Sequence, residues 1–283
     1  MSLEEIVAAF PEFCSYVSVS SRQPALVAGA LLASQGASHV VVADHGQSEE
    51  QYIVEGVITG REILGLLAKN HEVWRHVMRV TSGEISRPVP SLDRRESLAA
   101  LFGLMSEFGV GFALVNDRRP GMLDLLTVLR YSAAKRPLWS FLRSYRAADV
   151  CSGPEVLSIE SDQTVLESIH LMLNKGVRRL VVEDRHAILS DRSVVKFLFG
   201  SIQNMELTRD SPERLFNLPV GELDEFLLHP AVVASGDDLE IVLDRLLASE
   251  AKCCLLEDGG GIITPWDLTV KLFLRLSAET RPM

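Results

Sequence analysis

The sequence is poor in the residues and motifs that most chemistries require. Its four cysteines, Cys14, Cys151, Cys253 and Cys254, make no C-x-x-C pair, so they read as buried free thiols in a reducing compartment. Cys253 and Cys254 are neighbours on a predicted strand, which sends their side chains to opposite faces. No apolar run approaches the ~20 residues that a bilayer span needs; the run from 24 to 33 is the longest temptation. The first ten residues carry Glu4 and Glu5 and no basic residue, unlike a secretory leader. These absences predict a cytoplasmic protein with no membrane contact. Basic charge is also scarce: 28 Lys and Arg stand against 38 Asp and Glu, for a net charge of −10. A general nucleic-acid or anionic-membrane surface is therefore not expected. No G-x-S-x-G elbow, no H-E-x-x-H and no G-x-x-x-x-G-K-[ST] loop occurs. The run Gly259 to Gly261 is followed by no Lys-Ser/Thr, so it reads as a hairpin turn. His71-Glu72-Val73-Trp74-Arg75-His76 approaches a zinc-protease helix, but its two histidines diverge by about 140°. It reads as a linking helix over 71–80. No enzyme and no metal site are expected.

What is present is a repeat. The chain of 283 residues, 47% hydrophobic, suits about two packed domains. Gly261-Ile262-Ile263-Thr264-Pro265-Trp266-Asp267 joins a short apolar run to a helix start: Thr264 caps, Pro265 suits the first turn, and Asp267 can reach back to the cap N–H. Gly56-Val57-Ile58-Thr59-Gly60-Arg61-Glu62 repeats it. Ala187-Ile188-Leu189-Ser190-Asp191-Arg192-Ser193 is a looser copy, and Gly121-Met122-Leu123-Asp124-Leu125-Leu126-Thr127 the most degenerate. The cap positions 59, 124, 190 and 264 mark a period to be recognised before any fold is assigned.

The same elements precede each copy. An extended segment comes first, at Val17–Val19, Val89–Leu92, Val156–Ile159 and Ala231–Ala234. A helical stripe follows: Leu26, Ala30 and Leu31; then Leu98, Leu101, Phe102 and Met105; then Val165, Ile169 and Leu173; then Leu239, Val242, Leu243, Leu246 and Leu247. Short apolar strands come next, at Val40–Val42, Phe112–Val115, Leu180–Val182 and Cys253–Leu256. The predicted unit is strand, helix, strand, strand, helix, an α+β fold.

In these features, and in Ala147-Ala148-Asp149-Val150-Cys151-Ser152-Gly153-Pro154 leading into Val156, the chain resembles the cystathionine-β-synthase (CBS) domain family. The resemblance covers nearly the whole chain as four tandem β-α-β-β-α repeats, at 1–70, 71–146, 147–210 and 211–283. It implies pairing into two Bateman modules and a disk, as in the gamma subunit of AMP-activated protein kinase. It implies adenine-nucleotide or S-adenosylmethionine binding between paired repeats. The helix-start hydroxyl would contact phosphate or ribose, and the acid three residues on would hold the ribose hydroxyls. On this chain those positions are Thr264 with Asp267 and Gly261, and Thr59 with Glu62. Ser190 keeps the cap but has Ser193 in place of the acid, with Arg192 beside it. Arg178 and Arg179 fall where the kinase subunit contacts phosphates, and Lys252 matches Arg178. Strand alternation would turn only one of the two arginines into a given cleft. Asp124 at a cap would repel phosphate, so the second repeat is expected to pack rather than bind.

Each of these motifs also has a plainer reading. Thr264 to Asp267 can be only a capping box, Arg178 and Arg179 a surface pair, and Trp266 either an adenine platform or packing. The stretch 131–150, with Lys135, Arg136, Arg143 and Arg146, reads as a helical connector rather than a nucleic-acid grip. Asp210-Ser211-Pro212-Glu213 is a helix-start signal in an acidic connector over 201–222. The expected function is a regulatory module binding AMP, ADP or ATP, with S-adenosylmethionine less favoured. It would act on an unidentified protein in trans, most simply as a homodimer. A protein-interaction scaffold with vestigial sites is the alternative.

Overall fold

The structure, a computed structural model, describes residues 3–9, 16–45, 52–70, 79–116, 121–135, 142–153 and 156–279. The sequence-based linking helix, with His71 and His76, lies almost wholly outside the described residues. So do most of the loop over 45–51 and Arg136, Leu138 and Phe141.

Helix α1 (Leu3–Ala9) opens the described chain and buries Leu3 and Ile6. The first repeat is β1 (Ser18–Val19), α2 (Ala25–Gln35), β2 (Val40–His45), β3 (Tyr52–Ile58) and α3 (Gly60–Asn70). A short helix, α4 (Ser82–Ile85), leads to the second: β4 (Ser91–Asp93), α5 (Leu98–Phe108), β5 (Phe112–Asn116), β6 (Gly121–Asp124) and α6 (Leu125–Ala134). Helix α7 (Ala147–Val150) leads to the third: β7 (Ser158–Ile159), α8 (Val165–Lys175), β8 (Arg179–Val182), β9 (Ala187–Ser190) and α9 (Asp191–Phe199). Then α10 (Ile202–Asp210) and α11 (Pro212–Phe216) precede the fourth: β10 (Ala231–Val233), α12 (Leu239–Ala248), β11 (Cys254–Leu256), β12 (Ile262–Ile263), a π-helical turn (Asp267–Lys271) and α13 (Leu272–Glu279). Each repeat has one three-stranded sheet, whose first strand runs parallel to the second and whose third runs antiparallel to it. A parallel pair needs a crossover and an antiparallel pair a hairpin. That is why one helix separates the first two strands and a short turn the last two.

The first helix of repeats one to three closes on a left-handed glycine: Gly36 (φ 60°), Gly109 (φ 61°) and Gly176 (φ 68°). A side chain there would be strained. The predicted apolar stripes are buried, with one shift. In α2 the fully buried positions are Ala25, Ala28, Leu32 and Ala33, while Leu26 and Leu31 pack at the margin. Small residues suit that face because Gly29 lies against the Phe199 ring, which a Cβ would approach to 3.3 Å.

Compact packing joins alternate repeats. One unit comprises residues 16–88 and 157–228, hence repeats one and three; the other comprises 1–15, 89–156 and 229–283, hence repeats two and four. In the first unit, α9 packs on α2 and α3, and α3 on α8, around one continuous apolar core that includes Leu64, Ile169, Val194 and Leu198. In the second, two cores are knitted by exchange. Leu129 of α6 joins the fourth repeat's core, and Val270 of the π turn joins the second's.

The two connectors compare differently with expectation. Helix α6 ends at Ala134, and residues 142–144 form only a 3-10 turn, so the described part of 131–150 is no continuous helix. Arg143 is tied to Glu240. The connector over 201–222 starts a helix at Pro212 as its signal predicts, and it contributes to the core: Thr208, Leu215, Phe216 and Val220 are buried. Of the cysteines described, Cys253 and Cys254 are buried free thiols and Cys151 is half-buried.

Candidate functional site

The repeated helix starts of the first and third repeats meet, and all four starts use one hydrogen-bond pattern with different atoms. In the first repeat, Glu62 accepts from the Thr59 N–H at 2.8 Å and from the Thr59 hydroxyl at 2.6 Å. In the fourth, Asp267 accepts from the Thr264 N–H at 2.8 Å and its hydroxyl at 2.7 Å. In the second the chemistry is inverted: Asp124 at the cap accepts from the N–H and hydroxyl of Thr127, both at 2.8 Å. In the third, Ser190 accepts the Ser193 N–H at 3.0 Å and the two hydroxyls bond at 2.9 Å. Orphan donors at each start are satisfied from within.

In the first and fourth repeats the second carboxylate oxygen faces a residue from the segment that follows the neighbouring short helix. Arg87 pairs its backbone both ways with Val57, N–H to O at 3.0 and 2.9 Å. Its Nε then lies 3.6 Å from Glu62 Oε1. Ser152 donates its N–H to the Ile262 carbonyl at 3.0 Å, and its hydroxyl donates to Asp267 Oδ1. Glycine admits both segments. A Cβ on Gly56 would meet the Arg87 carbonyl at 2.6 Å, and one on Gly261 would meet Cys151 Cβ at 3.0 Å. Gly261 therefore makes room for the chain beside its expected place in a ligand site.

The surroundings of the two acids differ. In the repeat-two/four unit, Asp267 is 1% exposed, and Lys271 Nζ lies 3.6 Å from it. Lys271 also donates to the Val150 and Cys151 carbonyls, each at 2.7 Å. Trp266 packs on the second repeat's core, as one of its two readings expects. Lys252 is engaged elsewhere by its side chain. It takes a left-handed φ of 50° and donates to the Leu247 carbonyl at 2.7 Å, near the end of α12, where a cation complements the helix dipole. Residues 267–271 form a π turn rather than the expected regular α start. The Thr269 hydroxyl takes up the Pro265 carbonyl at 2.6 Å.

In the repeat-one/three unit the starts of α3 and α9 meet. A Cβ on Gly60 would lie 3.0 Å from the Asp191 carboxyl. Arg178 donates through Nε to Asp191 Oδ2 at 2.8 Å, and the Arg192 N–H to Oδ1 at 2.9 Å. Arg87, Glu62 and Arg61 complete the cluster. Burial lowers the Arg87 pKa, opposed by Glu62 and reinforced by Arg178 and Arg61. Burial also penalises Arg178, but the charge and hydrogen bond of Asp191, with Glu62, outweigh it and raise its pKa. Arg179 is the strand partner of Ser190, one residue on from Arg178. Sequence reasoning missed Arg87 and Asp191. Arg87 carries no motif and arrives through the Val57 pairing; Asp191 was visible as an acid at the first helical position and was passed over.

Residues 147–200 match the family model described as CBS domain. The chain is similar to CBS domains over that segment. Its fold is that of tandem CBS repeats: protein MJ1225 from Methanocaldococcus jannaschii, proposed as an archaeal homologue of g-AMPK, is similar over 92% of this chain and 96% of its own, at 18% identity and a TM-score of 0.74. An uncharacterised conserved protein from Pyrococcus horikoshii is similar over the same shares, 92% and 96%, at 17% identity and a TM-score of 0.52. No curated protein sequence matches. The matched CBS segment contains Arg178, Asp191 and Ser190, the third repeat's share of the arginine cluster. Among the described residues no helix is long and apolar enough to cross a membrane, and no group of acids, histidines and cysteines could hold a metal ion.

Proposed function

We propose that this chain is a regulatory adenine-nucleotide-binding protein. Its principal site lies where α3 and α9 start in the repeat-one/three unit. The carrying observation is the meeting of those two helix starts among Arg61, Arg87 and Arg178, with Glu62 at 13% side-chain exposure beside them. Helix starts and guanidinium forks are the two commonest phosphate partners. A carboxylate whose one oxygen is anchored by Thr59 presents the other to a ribose diol. The phosphate goes to Arg87, Arg178 and Arg61, with Arg192 and Arg179 near; Glu62 takes the ribose hydroxyls. Thr264 and Asp267 form a second site of the same design, in which a ribose hydroxyl replaces Ser152. Binding exchanges contacts between helix starts of different repeats, and that exchange is what another protein reads in trans. AMP and ADP suit the site better than ATP, because two acids stand among its arginines.

One observation favours an interaction scaffold instead: both helix-start acids are already engaged by their own cap threonines. Calorimetric titration of the whole chain with AMP, ADP, ATP, NAD and S-adenosylmethionine tests the reading. Micromolar adenylate binding that Glu62→Ala weakens tenfold or more supports it. No adenylate binding by a sample shown to be free of co-purified nucleotide sinks it in favour of the scaffold.

A further inference from the structure

The two helix starts that meet in the repeat-one/three unit are not equivalent. The first position of α3 is Gly60 and that of α9 is Asp191. An acid at this position ordinarily complements its own helix dipole from the surface. Asp191 does more. Its side chain is 5% exposed and bound by the Arg178 guanidinium at 2.8 Å, and its carboxyl lies 3.0 Å from where a Cβ of Gly60 would stand. The backbone N–H of Arg192 reaches its other oxygen at 2.9 Å. A buried carboxylate is thus held between the starts of two helices by a guanidinium, which is the arrangement an anionic ligand would adopt. Glycine at position 60 is what lets it approach the second helix.

We infer that Asp191 is the resident anion of this site, holding the place between the α3 and α9 starts that a ligand phosphate must take. The inference rests on the adenylate reading only for the identity of the ligand. Entry of a phosphate requires Arg178 to exchange one anion for another and Asp191 to turn away. A second phosphate then meets the displaced carboxylate as a like charge. Asp191 therefore sets how much negative charge the site accepts. It is a specificity-determining residue that favours one phosphate over three.

The test is calorimetric titration of the full chain, as wild type, Asp191→Asn, Asp191→Ser and Asp191→Glu, with inorganic pyrophosphate and separately with AMP and ATP. Pyrophosphate is expected to bind Asp191→Asn and Asp191→Ser at least about tenfold tighter than wild type or Asp191→Glu, the size of one like charge removed at close range. The preference for AMP over ATP should shrink in the same two variants. Equal or weaker pyrophosphate binding in a folded Asp191→Asn overturns the inference and leaves Asp191 a positioning residue for Arg178. Failure of both neutral variants to fold also overturns it, because the carboxylate would then be structural. The adenylate reading fails separately: if AMP binds no tighter than phosphate and Glu62→Ala changes nothing, the resident anion stands and the nucleotide does not. If no variant binds pyrophosphate yet AMP binding depends on Glu62, the nucleotide stands and the resident anion does not.

Discussion

Glu62 and Asp267 occupy the same step of the same repeated pattern, and their neighbourhoods have diverged. Both accept two hydrogen bonds from a cap threonine. Beyond that, Glu62 faces an arginine cluster from two repeats, whereas Asp267 faces Ser152 and a lysine spent on two carbonyls. Arginine keeps donors in a fixed fork even when one is engaged, while an ammonium that already gives two of its three donors to carbonyls has one left. One helix start is therefore the better equipped to receive an anion, while the other gives more of its donors to holding the chain together. The cores differ in parallel: continuous across repeats one and three, exchanged through Leu129 and Val270 across two and four. A duplicated motif keeps its cap geometry because folding needs it, and the residues around the cap are left to vary.

The largest effect that separates the two is on stability. Asp267→Ala removes a buried acceptor of three hydrogen bonds and leaves the Thr264 donors, Ser152 and Lys271 without it. The expected cost is about 3 kcal/mol, below the upper range for a buried pair because Lys271 is partly exposed. Glu62→Ala loses one capping box beside a more open cluster and should cost about 1 kcal/mol. Urea unfolding measures both; equal costs would erase the distinction drawn here.

Ligand binding should rank the opposite way. Arg87→Ala is expected to weaken AMP at least about tenfold, the loss of one charge-assisted contact, and Lys271→Ala to leave it unchanged. Titration calorimetry on both variants decides this. An AMP affinity that follows Lys271 and ignores Arg87 would move the principal site to the other unit.

A smaller effect concerns the inverted cap. Asp124→Thr combined with Thr127→Asp restores the order found at 59 and 264 while keeping both hydrogen bonds. The double variant should melt within about 0.5 kcal/mol of wild type, while Asp124→Ala alone should lose about 1 kcal/mol. A double variant as damaged as the single one would show that the inversion itself matters to packing.

Much of this was readable in advance. The cap positions 59, 124, 190 and 264 and the order of elements follow from apolar periodicity and helix-start chemistry, both local. Trp266 and Lys252 were not decided locally, because their partners, the second repeat's core and the Leu247 carbonyl, are fixed only by packing and by a left-handed turn. The alternate pairing of repeats was also illegible: apolar stripes say that helices bury a face, not against which copy. Arg87 illustrates the limit best. Nothing near it in sequence signals a site, and only its backbone pairing with Val57 brings it to Glu62.

The smallest expected difference lies at the acid end of the pH scale. In the repeat-one/three unit, Asp44 accepts the Ser20 hydroxyl at 2.6 Å as well as that of Ser21, and Asp184 accepts the Ser161 hydroxyl at 2.5 Å. The Ser20 bond, then the Ser21 bond, hold Asp44 below the usual carboxylate range against the opposing effect of burial; the Ser161 bond does the same for Asp184. In the other unit, Asp258 is lowered by the Gly260 N–H and then by Ser235. A carboxyl whose folded pKa lies below its unfolded value of ~3.9 stabilises the fold above that value and loses the contribution as pH falls through the folded pKa. Unfolding measured between pH 6 and pH 3 should therefore lose part of its free energy below about pH 4. Replacing Ser20 and Ser21 together by alanine should make that fall shallower, and Ser235→Ala should do so less, because the Gly260 N–H that chiefly lowers Asp258 remains, whereas the Ser21 N–H is a lesser cause for Asp44. A fall whose slope ignores all three serines would show that the two clips, at Asp44 and Asp258, are equally present in the unfolded chain.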